Sequence, residues 1–436
     1  MQIAYEKQTL DNRLDVIVHE DHGCPIVAVN LWYHVGSKNE RPGRTGFAHL
    51  FEHLMFEGSA HFDRGYFYPL QEVGGTLNGS TSTDRTNYWE VVPTGAFERA
   101  LWMESDRMGY LLPALTQEKF ETQREVVLNE RRQNYENRPY GLVPMALMAA
   151  LHPPDHPYHW LTIGEPDDLR AAGLADVKAF FATYYHPGNA SLAIAGDVRA
   201  ADAFGEARRH FEEIPGGPPP PPPAVPAEAD SDGERRLLLV DRVELPRLYL
   251  AWRTPPLFAA DDAELDLLAE LLTGGKASRL YRRLVREQRI ATDVSAAQGS
   301  RELASSFFIA ATAAPGHDLA ELEAVIADEL DALRTDPPGD DEVERARTTA
   351  DADFVYRTQT VGGFGGRSDQ LNLYNVLTGD PGYGPSDRAR YAAARPQALR
   401  RAADLHLRAE RRVAVSVVPA GETAAALPDS VLVSPR

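Results

Sequence analysis

Six consecutive prolines, Pro218 to Pro223, interrupt a chain of 436 residues near its middle. Proline locks φ and has no N–H to donate, so the run forms an extended polyproline II rod that joins neither helix nor sheet. Preceded by Pro215-Gly216-Gly217 and followed by Ala224-Val225-Pro226, it reads as a linker. The chain is thus expected to divide into a domain over 1–215, a Pro-rich linker over 216–233 and a second domain over 234–436. Both flanks alternate short β-rich runs with helical stretches. Asp15-Val16-Ile17-Val18-His19 and the run Ile26 to Tyr33 are strand candidates before the linker, and Arg236 to Val240 and Arg247 to Trp252 after it. In each half such strands lead to a helix, Phe47 onward in the first and near Leu271 to Leu284 in the second, so the halves read as degenerate copies. Periodicity alone predicts α plus β in two units.

The chemistry concentrates at His49, Glu52 and His53, which form H-x-x-E-H. On a helix, residues four apart share a face, so both imidazoles can reach one metal ion while Glu52 stands beside it. The alternative is a pair of helix histidines that never meet a metal. Leu50, Phe51, Leu54, Met55 and Phe56 surround the polar trio, however, and burying His-Glu-His without a metal or other partners is costly. A zinc ion held by two histidines needs a third ligand and an open position for water. The stretch 116–133 lacks Gly and Pro and reads as helix, and it offers Glu118, Glu121, Glu125 and Glu130. Spacing does not choose among the four.

Composition narrows the classes. A net charge of −19 argues against a nucleic-acid surface and favours basic peptides over acidic ones. Cys24 is the single cysteine, so no disulfide forms within the chain and a reducing, cytoplasmic setting fits. The N-terminal residues have neither a signal-peptide nor a presequence pattern, and the most apolar run, Leu142 to Leu151, is broken by Pro144 and too short to span a membrane. His152 and His156 share an i, i+4 spacing, but Pro153, Pro154 and Pro157 exclude a helix, so a second metal site there is not expected. The Gly-rich run 362–366 lacks the G-K-[ST] of a phosphate loop and reads as a flexible segment.

The H-x-x-E-H helix, the stretch Gly74 to Trp89 and the stretch Val126 to Gln133 together resemble the pitrilysin/insulinase family of zinc peptidases, in the two-domain branch that includes the mitochondrial processing peptidase. The resemblance implies an α/β fold of the α+β type: two homologous domains, each a mixed, largely antiparallel sheet covered by helices. It selects Glu130 as third ligand, 77 positions after His53, giving His49, His53 and Glu130 as ligands of one Zn²⁺ per chain and Glu52 as general base. It places Gln123 where relatives often carry a Glu that supports a metal-bound histidine. Thr76 to Thr83 matches the edge strand to which relatives add a peptide substrate, with Asn78, Gly79 and Ser80 as contacts and Gly79 where Ala is common. In the second half Arg286 matches a substrate-gripping Arg, but Thr292 stands where active relatives carry Tyr. A Thr hydroxyl falls well short of a phenol's reach.

The resemblance therefore implies an endopeptidase acting on peptides or unfolded segments inside a chamber made by dimerisation. The missing Tyr suggests a zinc-less homologous partner subunit supplying the Arg/Tyr pair, with a homodimer as the other possibility. The alternative reading is a non-catalytic scaffold subunit that keeps a structural zinc site.

Overall fold

The run of Val, Ala, Leu and aromatic residues at 26–33 becomes β3 (Ile26–Tyr33), buried along nearly its whole length. Such a strand must be covered on both faces, which places it inside its sheet rather than at the edge. A computed structural model describes residues 2–226 and 233–434 of the chain. Among these residues two six-stranded sheets form. The first contains β1 (Glu6–Thr9), β2 (Asp15–Glu20), β3, β4 (Thr76–Thr81), β5 (Thr86–Pro93) and β6 (Ala190–Gly196), in the order β1-β2-β6-β3-β5-β4. The second contains β7 (Arg235–Asp241), β8 (Arg247–Thr254), β9 (Ala291–Gly299), β10 (Ser305–Ala313), β11 (Arg412–Pro419) and β12 (Val431–Leu432), in the order β12-β7-β11-β8-β10-β9.

Five strands of each sheet repeat the same pairing. β2 runs parallel to β6 as β7 does to β11, and the remaining neighbours of this five-strand core are antiparallel in both. The sixth strand differs: β1 is antiparallel to β2, whereas β12 is parallel to β7. The fold is thus two homologous domains with mixed sheets and covering helices.

The two sheets fall on either side of the prolines, yet the compact units interleave the chain further. One comprises the chain up to Arg131 with Trp160–Ala224 and Phe354–Ser386; the other comprises Arg132–His159, Val225–Asp353 and Asp387–Arg436. In the first unit the helix Arg367–Thr378 packs on β6 and β3. A buried polar cluster fixes it there: Asp369 Oδ1 accepts from Trp32 Nε1 at 2.8 Å and from Asn30 and Asn87 at 3.2 Å each. In the second unit the helix Val143–Leu151 packs on β11 and β8. Pro144, read from sequence as a break, sits in the first turn of this helix, where its missing N–H costs nothing. Residues 218–226 are neither helix nor strand; positions 227–232 of the expected linker lie outside the described residues.

Candidate metal centre

The helix Phe47–Leu54 begins at Gly46, whose φ of 86° is left-handed. Glu40 closes this start: its carboxylate accepts from Gly46 N at 3.0 Å, Ala48 N at 2.9 Å and Trp160 Nε1 at 3.0 Å. The two backbone donors are N–H groups at the helix start that have no partner inside the helix. Burial pushes the Glu40 carboxyl up to about 8, against the pull of the same N–H groups. Phe47, Ala48, Leu50, Phe51 and Leu54 form the buried face, with Phe51 stacked 6.0 Å from Phe180 and tilted against Phe181 at 5.4 Å. That packing turns His49, Glu52 and His53 to the other face.

The second element is the helix Gln117–Arg131, which carries Glu130 one residue before its end. Glu130 Oε2 lies 3.6 Å from His49 Nε2 and 3.4 Å from His53 Nε2. The three candidate ligand atoms all fall within 4.8 Å of one another. Tetrahedral ligands at ordinary zinc distances are separated by about 3.3–3.5 Å. These side chains are thus spaced to share one ion, and the donor set of two imidazoles and a carboxylate suits zinc. Burial, reinforced by neighbouring His53, lowers the His49 pKa to about 4, with Glu130 opposing. The imidazole is then neutral at physiological pH and keeps a lone pair for a metal. Its Nδ1 is buried with no hydrogen-bond partner. Burial also raises the Glu52 pKa, against the effects of nearby Thr81, His53 and Arg85.

The two helices that carry the candidate ligands are tied together at Gly164. Buried Arg131 donates from Nη1 to Gly164 O at 2.7 Å. Gly164 in turn abuts Gly46, and a Cβ on it would lie 2.4 Å from Gly46 Cα. Gln123 is buried on the same helix, but its amide donates to Glu57 Oε1 at 2.7 Å rather than meeting an imidazole.

β4 is the terminal strand of its sheet. At the hairpin Ser82 N donates to Arg85 O at 2.8 Å, and antiparallel pairs alternate between bonded and unbonded positions. The register therefore turns the backbone groups of Leu77, Gly79 and Thr81 away from β5, while those of Asn78 and Ser80 point toward it. Consistent with this, Gly79 N is taken by its neighbour's side chain, Asn78 Oδ1, at 2.8 Å. Gly79 also packs tightly, since a Cβ there would meet Tyr88 and Phe56 ring carbons at 3.0 and 3.1 Å. Ser80 Oγ donates to Asn87 Oδ1 at 2.7 Å. In the second unit, Arg286 is exposed with Nη1 3.5 Å from Lys276 O, and Thr292 Oγ1 lies 3.5 Å from Thr312 O.

Three neighbours of the site escape sequence reasoning. Glu40 lies six residues before a glycine that starts a helix, a weak capping signal. Arg85 reads as a turn residue, yet its Nη1 donates to Ser80 O and Asn87 Oδ1 at 2.9 Å each. Gly164 gives no local signal, because its constraint comes from a segment more than a hundred residues away.

A His-Glu-His helix facing a distant carboxylate, on one of two repeated mixed α/β units, defines a zinc-peptidase type of scaffold. Residues 15–154 match the model described as "Insulinase (Peptidase family M16)", and residues 172–350 match the model of the "Peptidase M16 inactive domain". "Zinc protease PqqE" from Helicobacter pylori is 30% identical over 382 residues, covering 86% of this chain and 85% of the relative. A crystal structure described as a protease from Helicobacter pylori superposes with a TM-score of 0.87 at 27% identity, over 96% of this chain and all of that one. The periplasmic protease PqqL from Escherichia coli shares the fold, with a TM-score of 0.78 at 18% identity, over 98% of this chain and 49% of that one. The chain belongs to the insulinase family of peptidases, M16. Among the described residues no helix is long and apolar enough to cross a membrane.

Proposed function

We propose that the chain is a zinc-dependent endopeptidase acting on peptides or unfolded segments. The observation that carries this reading is the convergence of His49, His53 and Glu130 beside Glu52, with Glu130 Oε2 3.6 and 3.4 Å from the two imidazole Nε2 atoms and all three ligand atoms within 4.8 Å of one another. These three residues would hold one zinc ion per chain. Such an ion supplies Lewis acidity, polarising a carbonyl and easing deprotonation of water. Glu52 takes the proton of the attacking water and passes it to the leaving amine; burial raises its proton affinity toward the working pH, as this dual role requires. The substrate adds as a strand to β4, reading the outward N–H and C=O groups of Leu77, Gly79 and Thr81. Asn78 then has to release the Gly79 N–H it occupies. Gln123 holds Glu57 beside the ligand helices, a positioning rather than a charge-donating role.

Dimerisation would enclose the site in a chamber. Because Thr292 replaces the Tyr of active relatives, the second half calls for a homologous zinc-less subunit that supplies an Arg/Tyr pair, and Arg286 remains available for substrate. The prolines tether the sequence halves 1–215 and 234–436, which exchange residues 132–159 and 354–386 between the two compact units. The lone Cys24 suits a reducing cytoplasm.

The test is Glu52→Gln. It should retain one zinc per chain and lose about 10²–10⁴-fold in cleavage of a quenched peptide. Parent-like cleavage by this variant, or undiminished activity after chelation of the parent, refutes the reading.

A further inference from the structure

Outside the first cluster, one other group of three potential ligands converges among the described residues: Glu98, Glu206 and His210. Glu98 lies in the first turn of the helix Phe97–Ala114. Glu206 and His210 stand four apart on the helix Ala200–Phe211 and so share its face. His210 Nε2 is 3.4 Å from Glu206 Oε2 and 3.9 Å from Glu98 Oε1. The three ligand atoms fall within 4.8 Å of one another, much as in the first cluster.

Arg209 already meets the two carboxylates, with Nη1 2.8 Å from Glu98 Oε1 and 3.4 Å from Glu206 Oε2. That ion pair engages one oxygen of each carboxylate and does not reach the imidazole. The His210 side chain is only 10% exposed, and its Nε2 is buried without a hydrogen-bond partner. An orphaned ring nitrogen aimed at two carboxylates is costly unless something sits between them. Arg209 is 62% exposed, so its guanidinium can leave for solvent at little cost.

We infer that Glu98, Glu206 and His210 form a second site for a divalent transition-metal ion of the zinc type, clipping the helix Ala200–Phe211 to the start of the helix Phe97–Ala114. One nitrogen and two oxygens, with water as a fourth ligand, match the preferences of that ion, and two carboxylates balance its charge. Arg209 is its competitor: ion and guanidinium occupy the same oxygens in turn.

The experiment is zinc stoichiometry on the full chain, stripped with chelator and titrated calorimetrically against zinc alone, with circular dichroism of every variant. Two equivalents are expected for the parent, and one for His210→Ala and for Glu206→Gln. The double variant His49→Ala/His53→Ala should keep the second equivalent, so the two sites are counted separately and without reference to peptidase activity. Arg209→Ala should tighten the second equivalent by removing its competitor. A parent that binds a single ion, a second equivalent retained by both single variants, or an Arg209→Ala variant that binds no more tightly overturns the assignment.

Discussion

Gly164→Ala isolates what holds the two helices with the candidate ligands in place. Gly164 has φ of +75°, and an added Cβ would sit 2.4 Å from Gly46 Cα, 2.5 Å from Gly46 N and 2.8 Å from Thr45 C. All three obstacles are backbone atoms, so no side chain can swing aside. That backbone is also pinned: Glu40 holds Gly46 N, while Asp168 Oδ2 accepts from Thr45 N at 3.1 Å and from Thr45 Oγ1 at 2.7 Å. A left-handed non-glycine residue costs about 1–2 kcal/mol, and over-packing a tight contact costs about 1–3 kcal/mol. Together they amount to about 2–5 kcal/mol, or about 4–20 °C in Tm at about 2–4 °C per kcal/mol. The displacement falls on the start of the His49–His53 helix, so zinc affinity should also drop about tenfold or more. Gly205→Ala is the counter-experiment. It lies inside the helix Ala200–Phe211 with open space around its Cα, and the same chemical change there should stabilise by about 0.5–1 kcal/mol. Calorimetric melting and competitive zinc titration of both variants give the answer. If Gly164→Ala melts with the parent and binds zinc as tightly, the close approach does not hold the centre together.

Four further outcomes follow from buried charge and from the departure at Thr292. Arg107 lies 4.0 Å above the rings of Tyr66 and Tyr88 and donates from Nε to Glu104 Oε2 at 2.9 Å. Arg107→Met leaves a buried carboxylate unpaired and should cost about 3–5 kcal/mol. Burial, reinforced by the neighbouring Glu104 carboxylate, pushes the Glu90 carboxyl well up, so Glu90→Gln, which keeps the shape and drops the charge, should change urea stability by less than about 1 kcal/mol. His152 and His156 stack at 4.3 Å in the second unit, near Arg253, Arg301 and His159, and burial lowers their pKa values to about 2 and about 4. Stability is full above about pH 6.5 and falls below it, as the unfolded chain binds protons that the folded pair refuses. His152 contributes a slope of about 1.4 kcal/mol per pH unit that His152→Gln should remove, measured by urea midpoints between pH 4 and 7. Peptide cleavage by the purified chain should rise when a zinc-less homologous subunit is added, and a rate indifferent to any such subunit excludes the heterodimer.

What was legible in the sequence is what local chemistry dictates. β3 occupies the residues that its apolar run marks, β4 ends its sheet as its small and β-branched residues suggest, and the H-x-x-E-H helix buries the face its large apolar residues define. Glu130 is a different case. Four glutamates share its helix region, and which one meets the histidines depends on how two helices cross, so only the family resemblance singled it out. The interleaving of the two units was invisible for the same reason, since nothing within residues 132–159 or 354–386 says which sheet they will cover. The Gly-rich run 362–366, read as flexible, is anchored in places that its composition does not reveal: a Cβ on Gly362 would lie 2.5 Å from Ala28 Cβ, and Gly365 N donates to Asp369 Oδ2 at 2.7 Å, while Phe364 between them is exposed.

The repeated units show why, among the described residues, the H-x-x-E-H candidate metal centre belongs to one copy of the sheet order. After β3 and after β8 the chain enters a helix through a left-handed residue, Gly46 at φ 86° and Asp261 at φ 68°. The backbone device is thus shared, and what differs is its surroundings. Asp261 pairs with Arg401 and with His406 at 3.1 Å, contacts its side chain needs space to make. At Gly46 there is no such space, because Gly164 and Leu169 lie within about the reach of a single Cβ, at 3.1 and 3.0 Å. The helices diverge accordingly. Asp262–Thr273 buries Ala263, Leu265, Leu267, Leu268, Ala269, Leu271 and Leu272, spending most of its surface on the core. Phe47–Leu54 keeps a polar face for His49, Glu52 and His53 and is held at its start by glycine contact and the Glu40 carboxylate. The candidate metal centre therefore depends less on the sheet, which both copies share, than on the close backbone crossing of Gly46 and Gly164 in the first copy.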